Sequence, residues 1–215
     1  MQTEEAMQER RRRILARARE LLADGDADSF SVRNLAAGAD VSATTIYNLI
    51  GDKNTVMLQL CSGMVDDIER ALEGIDDDLT LEKLEASVAL TTDLADPVKR
   101  DLRRAAHIAF DNLWRQGAYQ DQIEEMTRDA VARHLRVIRR GQEIGTLLGR
   151  IPAETLNIQI LSSQMMALLD WTYRRATLAE YRKRCFMALY VSLAADAAEG
   201  TREEIMQRID RLEGR

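Results

Sequence analysis

The chain is poor in residues that interrupt helices and in residues that carry catalytic chemistry. Only 2 Pro and 3 Phe occur among 215 residues, while Ala, Leu, Arg and Glu abound, and this composition points to an all-α fold. The 2 His are His107 and His134. There is no HExxH, no pair of Glu-x-x-His ligands of a di-iron bundle, no P-loop and no nucleophile elbow. An enzyme is therefore not expected, and neither is a cofactor or a resident metal. The 2 Cys, Cys61 and Cys185, fall on separate expected helices without metal-ligand or redox spacing, which makes them buried structural thiols. No apolar run approaches the ~20 residues that span a bilayer, and the N-terminus is polar and charged, so no membrane segment and a cytoplasmic location are expected.

Two acidic stretches resemble cation sites only superficially. Asp24, Asp26 and Asp28 alternate like the start of a calcium loop, but Ser29 stands where the turn glycine is required and Leu35 where the bidentate Glu is required. Asp76, Asp77 and Asp78 lack a supporting His or turn signal and read as a solvated connector.

What is present is concentrated between Ser31 and Lys53. Ser31 is positioned to cap a short helix running to Gly38, with Leu35, Ala36 and Ala39 on its apolar side. Asp40 and Val41 make a turn. Ser42 caps a second helix in which Ile46 and Ile50, four apart, point inward. Ala43, Thr44, Thr45, Tyr47 and Asn48 point elsewhere, and such small, hydrogen-bonding side chains suit the groove-facing side of a recognition helix.

These residues, with Ile14, Ala18 and Leu22 before them, Gly25, Phe30-Ser31-Val32, Val41-Ser42, Thr45-Ile46-Tyr47 and Lys53, make the segment from Ile14 to Leu60 resemble the DNA-binding domain of the TetR family of transcriptional regulators. Three positions depart from the commonest pattern: Asp40 in place of Gly, Leu49 in place of His and Ile50 in place of Phe. Asp visits left-handed backbone more readily than most residues, so the turn is expected to survive. The resemblance implies a helix-turn-helix domain over residues 1–60 and a helical ligand-binding and dimerisation domain over 61–215. For DNA it points to Ser31, Arg33, Ser42, Ala43, Thr44, Thr45, Tyr47, Asn48 and Lys53, with phosphates falling to Ser31, Arg33 and Lys53.

A net charge of -6 seems at odds with a polyanionic partner, but the placement of charge matters more than its sum. Arg10, Arg11, Arg12 and Arg13, then Arg17 and Arg19, precede the helix-turn-helix. They read as a flexible arm on phosphate or minor groove, the alternative being a solvated face of a first helix expected from Glu9 to Ala23.

Beyond the reading unit, Asp52 is positioned to cap a helix whose stripe Val56, Leu60, Met64, Ile68 and Leu72 reaches Glu73, a rod suited to carry a shift between domains. Further helices are expected at Thr80 to Leu94, Pro97 to Gln116 and Tyr119 to Glu143. His107, Phe110, Trp114, Met126, Met165, Met166 and Trp171 are the candidate lining of a mostly apolar pocket, the alternative for each being ordinary core. The stretch from Thr155 to Leu169 has no charge and is apolar on several sides, and Thr177 with Glu180 forms a capping box before a second such helix. These segments, 153–176 and 178–199, resemble the helix pair through which TetR-family proteins form homodimers. Thr201 with Glu204 suggests a further box starting a last amphipathic helix.

The functional expectation is a ligand-responsive regulator, a repressor released from a palindromic DNA operator by an apolar or aromatic small molecule. The rival is a helical scaffold or protein-binding module of the same fold that has lost sequence-specific DNA binding.

Overall fold

The computed structural model describes residues 2–24, 30–60, 81–93 and 120–215, with Gly63 and Arg103. All regular structure among them is helical apart from one antiparallel bridge between Leu147 and Ala197. The chain divides into two compact units, Met1–Asp66 with Ala95–Met126, and Asp67–Leu94 with Thr127–Arg215.

In the first unit, α1 (Gln2–Asp24), α2 (Val32–Gly38), α3 (Ala43–Leu49) and α4 (residues 53–60) enclose one apolar core. Ile14, Ala18 and Leu22 recur every four residues on α1 and are buried, which lays one stripe across the shorter helices. Leu35 from α2, Ile46 from α3 and Val56 and Met57 from α4 meet that stripe, each with no exposed surface. Truncating any of them to Ala opens a cavity that costs about 2–5 kcal/mol.

The N-terminus corrects one expectation. Residues 10 to 13 are not a flexible arm but part of α1, which begins at Gln2 and not near Glu9. Gln, Glu, Ala and Arg are strong helix formers, Glu4 and Glu5 face the positive end of the helix dipole, and Glu9 pairs with Arg12 at 2.7 Å. Local propensity thus carries the helix outward past the core.

In the second unit the described helices are α5 (Leu81–Asp93), the part of α6 (Gln120–Glu143) from Thr127 onward, α7 (Ala153–Thr172), α8 (Leu178–Ala194) and α9 (Glu199–Glu213). Helix α8 packs against α5, α7 and α9. The capping box at its start is formed as expected: Thr177 Oγ1 accepts from the Glu180 amide, and the Glu180 carboxylate accepts from the Thr177 amide at 2.7 Å.

The loop between α6 and α7 is tied to the end of α8 by one side chain. Asp196, wholly buried, accepts from the amides of Gly149 (3.0 Å), Arg150 (2.8 Å) and Ile151 (3.1 Å) and from Gln142 Nε2 (3.3 Å). Gly145 and Gly149 take φ of 79° and 69°, backbone that lets the loop fold over this carboxylate. The Ala198 amide donates to Thr146 O across the bridge, and Arg202 N already donates to Ala198 O. That tie overturns the box expected at Thr201: helix α9 starts at Glu199, with Ala198 at its N-cap and no side-chain cap. A tertiary contact fixes the start of the helix before Thr201 is reached.

The expected helix from Pro97 to Gln116, the half of the Asp52 helix beyond Leu60, the acidic run Asp76 to Asp78, Cys61 and the loop holding Gly25, Asp26 and Asp28 lie outside the described residues.

Candidate functional site

The reading unit is built by local hydrogen bonds that its sequence dictates. Ser31, extended at φ -136° and ψ 153°, accepts on Oγ from the Asn34 amide at 3.1 Å and so starts α2. The helix ends as Ala39 N donates to Leu35 O and Val41 N to Ala36 O. Between them Asp40 adopts φ 53°, the left-handed position that closes the turn. Gly38 permits close packing there, since a Cβ would lie 2.6 Å from Arg17 Nε.

Ser42 then repeats the device for α3. Its Oγ accepts from the Thr45 amide at 3.0 Å and lies 2.8 Å from Thr45 Oγ1, which holds the Thr45 side chain at the helix start. Ile46 is wholly buried and Ile50 nearly so, which fixes the rotation of α3 about its axis. The consequence is an outward face of Thr44, Tyr47 and Asn48, with Tyr47 55% exposed. Ala43, Thr45 and Leu49 are half-buried at its margin.

Gly51, at φ 130°, turns the chain into α4, and Asp52 Oδ1 accepts from the Thr55 amide at 2.8 Å and from Thr55 Oγ1 at 2.9 Å. Lys53 Nζ stands 5.8 Å from the centroid of the Phe30 ring, a cation-π contact that steadies its stem beside the helix start. Arg33 is exposed on α2. All nine residues expected to meet DNA therefore lie in one contiguous stretch of the first unit, from the α2 cap to the first turn of α4. Arg11 adds a tie that the sequence did not suggest, its Nε donating to Gln59 Oε1 at 3.2 Å. Arg10, Arg12 and Arg13 are exposed on α1. The Arg12–Glu9 pair is open to water and contributes little to stability.

Residues 14–60 match the family of sequences described as bacterial regulatory proteins, tetR family. The chain carries a TetR-family DNA-binding domain. No curated protein matches the chain. Solved structures extend the TetR likeness along nearly the whole length. A TetR-family transcriptional regulator from Marinobacter aquaeolei VT8 is 16% identical, with 94% of this chain and 98% of that chain covered at a TM-score of 0.63. SmeT, the repressor of the Stenotrophomonas maltophilia multidrug efflux pump SmeDEF, is 17% identical over 89% of this chain and 92% of its own, also at 0.63. SmeT in complex with triclosan gives 18% identity, 89% and 93% coverage and the same TM-score. At these identities the likeness establishes the fold, which is that of TetR-family transcriptional regulators.

The residues expected to line a pocket fall apart. His107, Phe110 and Trp114 lie outside the described residues, and Met126 falls within the span of α6. Met165 and Met166 are exposed on α7, by 38% and 59%. Trp171 is buried at the α7–α8 junction, stacked on Tyr181 with ring centroids 5.4 Å apart. His134 is buried, its Nε2 3.4 Å from Ser87 Oγ on α5. Cys185 is buried, and burial pushes its thiol up to about 12, which makes it a poor nucleophile. Burial likewise raises Tyr190, whose hydroxyl donates to Glu85 Oε1 at 2.7 Å.

A cavity of about 320 Å³ does exist in the second unit, lined from α5, α6, the α6–α7 loop, α8 and α9. None of the seven expected residues lines it. It was invisible in the sequence because no single segment carries it. Asp196 was missed as well, although one signal pointed to it: it is the only charged residue between Cys185 and Ala198. No helix among the described residues is long and apolar enough to cross a membrane.

Proposed function

We propose that the chain is a ligand-responsive transcriptional repressor that binds a palindromic operator as a homodimer. The observation that carries this reading is the face of α3. Ile46 anchors the helix in the core while Thr44, Tyr47 and Asn48 stand open to solvent, so hydrogen-bonding groups are presented outward on a fixed support. Thr44, Thr45, Tyr47 and Asn48 divide contacts to base edges and phosphates, Ser42 and Ala43 permit close approach, and Ser31, Arg33 and Lys53 hold phosphates.

A dimer follows from the information a short helix can read. At ~1–3 kcal/mol per base pair, one copy of α3 discriminates weakly, and a two-fold assembly doubles the site and demands matched half-sites. The paired helices α7 and α8 leave Ile158, Met166 and Val191 more than half exposed, at 65%, 59% and 56%, an apolar face suited to a second copy. Helix α7 carries no charge from Thr155 to Leu169, which suits the centre of such an interface.

The effector reading draws on the fold it shares with SmeT, for which a triclosan complex is known. An apolar or aromatic small molecule acts as inducer here if it binds the DNA-incompetent dimer more tightly than the competent one.

The test is selection of random duplex DNA by the purified protein at near-physiological salt, with Tyr47→Ala in parallel. The expected result is a palindromic consensus recovered by the wild type alone. Enrichment by neither protein would overturn the operator reading and favour a helical scaffold, and equal enrichment by both would remove Tyr47 from the interface.

A further inference from the structure

The cavity of the second unit has a chemical bias that its position alone does not explain. Its walls are Leu84, Val137, Ile138, Leu147, Leu193 and Ile205, all aliphatic. It stays open at Gly141, where a Cβ would sit 3.2 Å from both Leu147 Cδ1 and Thr146 Oγ1. Leu147 cannot swing in to fill the space easily, because its amide donates to Gly141 O and the next amide, of Leu148, donates to Asp196 O. About 320 Å³ of dry volume is enough for a small ligand with one aromatic ring and a short chain.

The charged residues that line it are Glu82 and Glu204, and no Lys, Arg or His does so among the described residues. Both carboxylates reach the same cation. Arg208 contacts Glu82 at 2.8 Å, Glu85 at 2.7 Å and Glu204 at 3.2 Å, so three carboxylates share one guanidinium. The lining side chains Glu82 and Glu204 keep 61% and 54% of their surface exposed, leaving their oxygens able to take a further partner. Two observations thus coincide at one place: an aliphatic chamber held open by a glycine, and an excess of negative charge at its edge.

We propose that this cavity is a binding site for a small apolar cation, an amine with a hydrophobic body, whose body fills the aliphatic chamber and whose ammonium lies between Glu82 and Glu204. An anion of the same shape is repelled there, and a neutral analogue gains only the burial of its apolar surface. The site deepens the regulator reading by naming the class of effector, and rests on that reading only for its consequence at DNA.

The experiment uses the full-length protein and three probes with one skeleton: phenylbutylamine, phenylbutanol and phenylbutyrate, titrated by calorimetry at neutral pH. The amine is expected to bind about tenfold more tightly than the alcohol, between the water and protein-surface limits for one added charge contact, and the acid weakest. Glu82→Gln with Glu204→Gln should erase the preference for the amine while the alcohol still binds. Ile144→Trp, at a half-exposed residue of the lining, should block all three, and Thr201→Trp gives a second plug should the first perturb the loop. Absence of binding by all probes, or binding blind to charge, or a preference that survives the Glu→Gln pair, would overturn the proposal. Operator affinity measured with saturating amine is a separate readout: if it is unchanged while binding holds, the cation site stands and its role as an effector site falls.

Discussion

Removing the Asp196 carboxylate is the sharpest structural perturbation that a single substitution can make in the second unit. The side chain has no exposed surface, and its two oxygens divide four donors: Oδ1 takes the amides of Arg150 and Ile151, Oδ2 takes Gly149 N and Gln142 Nε2. A hydrogen bond to a charged acceptor contributes about 1.5–3 kcal/mol. Gly149 and Arg150 are exposed residues, and water regains their amides once the carboxylate is gone. The bonds from Ile151 and Gln142 are less easily replaced, and two such bonds set the loss for Asp196→Ala at ~3–6 kcal/mol. For a chain of this size that lowers the melting temperature by roughly 10 °C. Asp196→Asn retains one oxygen but turns an amide group towards two donors, so it should lose at least half as much. Thermal and urea unfolding followed by circular dichroism measure both. An Ala variant that melts within about 2 °C of the wild type would show that the loop is held by its glycine turns and apolar contacts, and that the four bonds are of no consequence.

The exposed face of α7 and α8 gives the second prediction: Ile158→Asp with Met166→Asp should yield a helical monomer in sedimentation velocity at micromolar concentration, and a persisting dimer would place the interface elsewhere. Cys185, with its thiol pushed up to about 12, should react with iodoacetamide at pH 8 far more slowly than after denaturation, by at least about tenfold in a Cys61→Ser background, and equal rates would contradict its burial. Glu180 is held below its ordinary 4.5 chiefly by the Thr177 amide. A carboxylate with a lowered pKa stabilises the fold above its unfolded value and stops doing so as pH falls through its folded value. The stability gap between wild type and Glu180→Ala should therefore be full at neutral pH and close progressively below 4.5, and a gap that stays constant down to pH 3 would refute the capping role.

How much of this could be read beforehand depended on the range of the interactions. The helix-turn-helix was legible because each of its decisions is made within four residues: Ser31 and Ser42 each cap an amide three positions on, Asp40 takes the left-handed turn, and Ile46 sets the inward face. The box at Thr177 succeeded for the same reason, and the similar pair Thr201 and Glu204 failed because the Leu147–Ala197 bridge had already fixed where α9 begins. The Arg run was read by its charge, although the neutral facts of helix propensity around it decided its conformation. The cavity was illegible for a different reason. Leu81 and Ile205 meet at it from positions far apart in the chain, and its emptiness depends on an absent side chain at Gly141.

The uncharged helices mark the limit of this kind of reading most clearly. An apolar stretch such as 155–169 states that several sides of a helix must be covered, but not by what. Leu156, Ile160 and Ala167 are covered within the chain and Trp171 is stacked on Tyr181, while Ile158 and Met166 on the same helix, with Val191 on its neighbour, are left in water. One chain thus supplies cover for part of the circumference. Burying a side chain of this size is favourable by about 1.5–3 kcal/mol, and a two-fold axis through the open face would count every such residue twice. The residues that looked like pocket lining in the sequence, Met165 and Met166, lie on that open side, where their flexible thioethers suit packing against a second copy of the same surface.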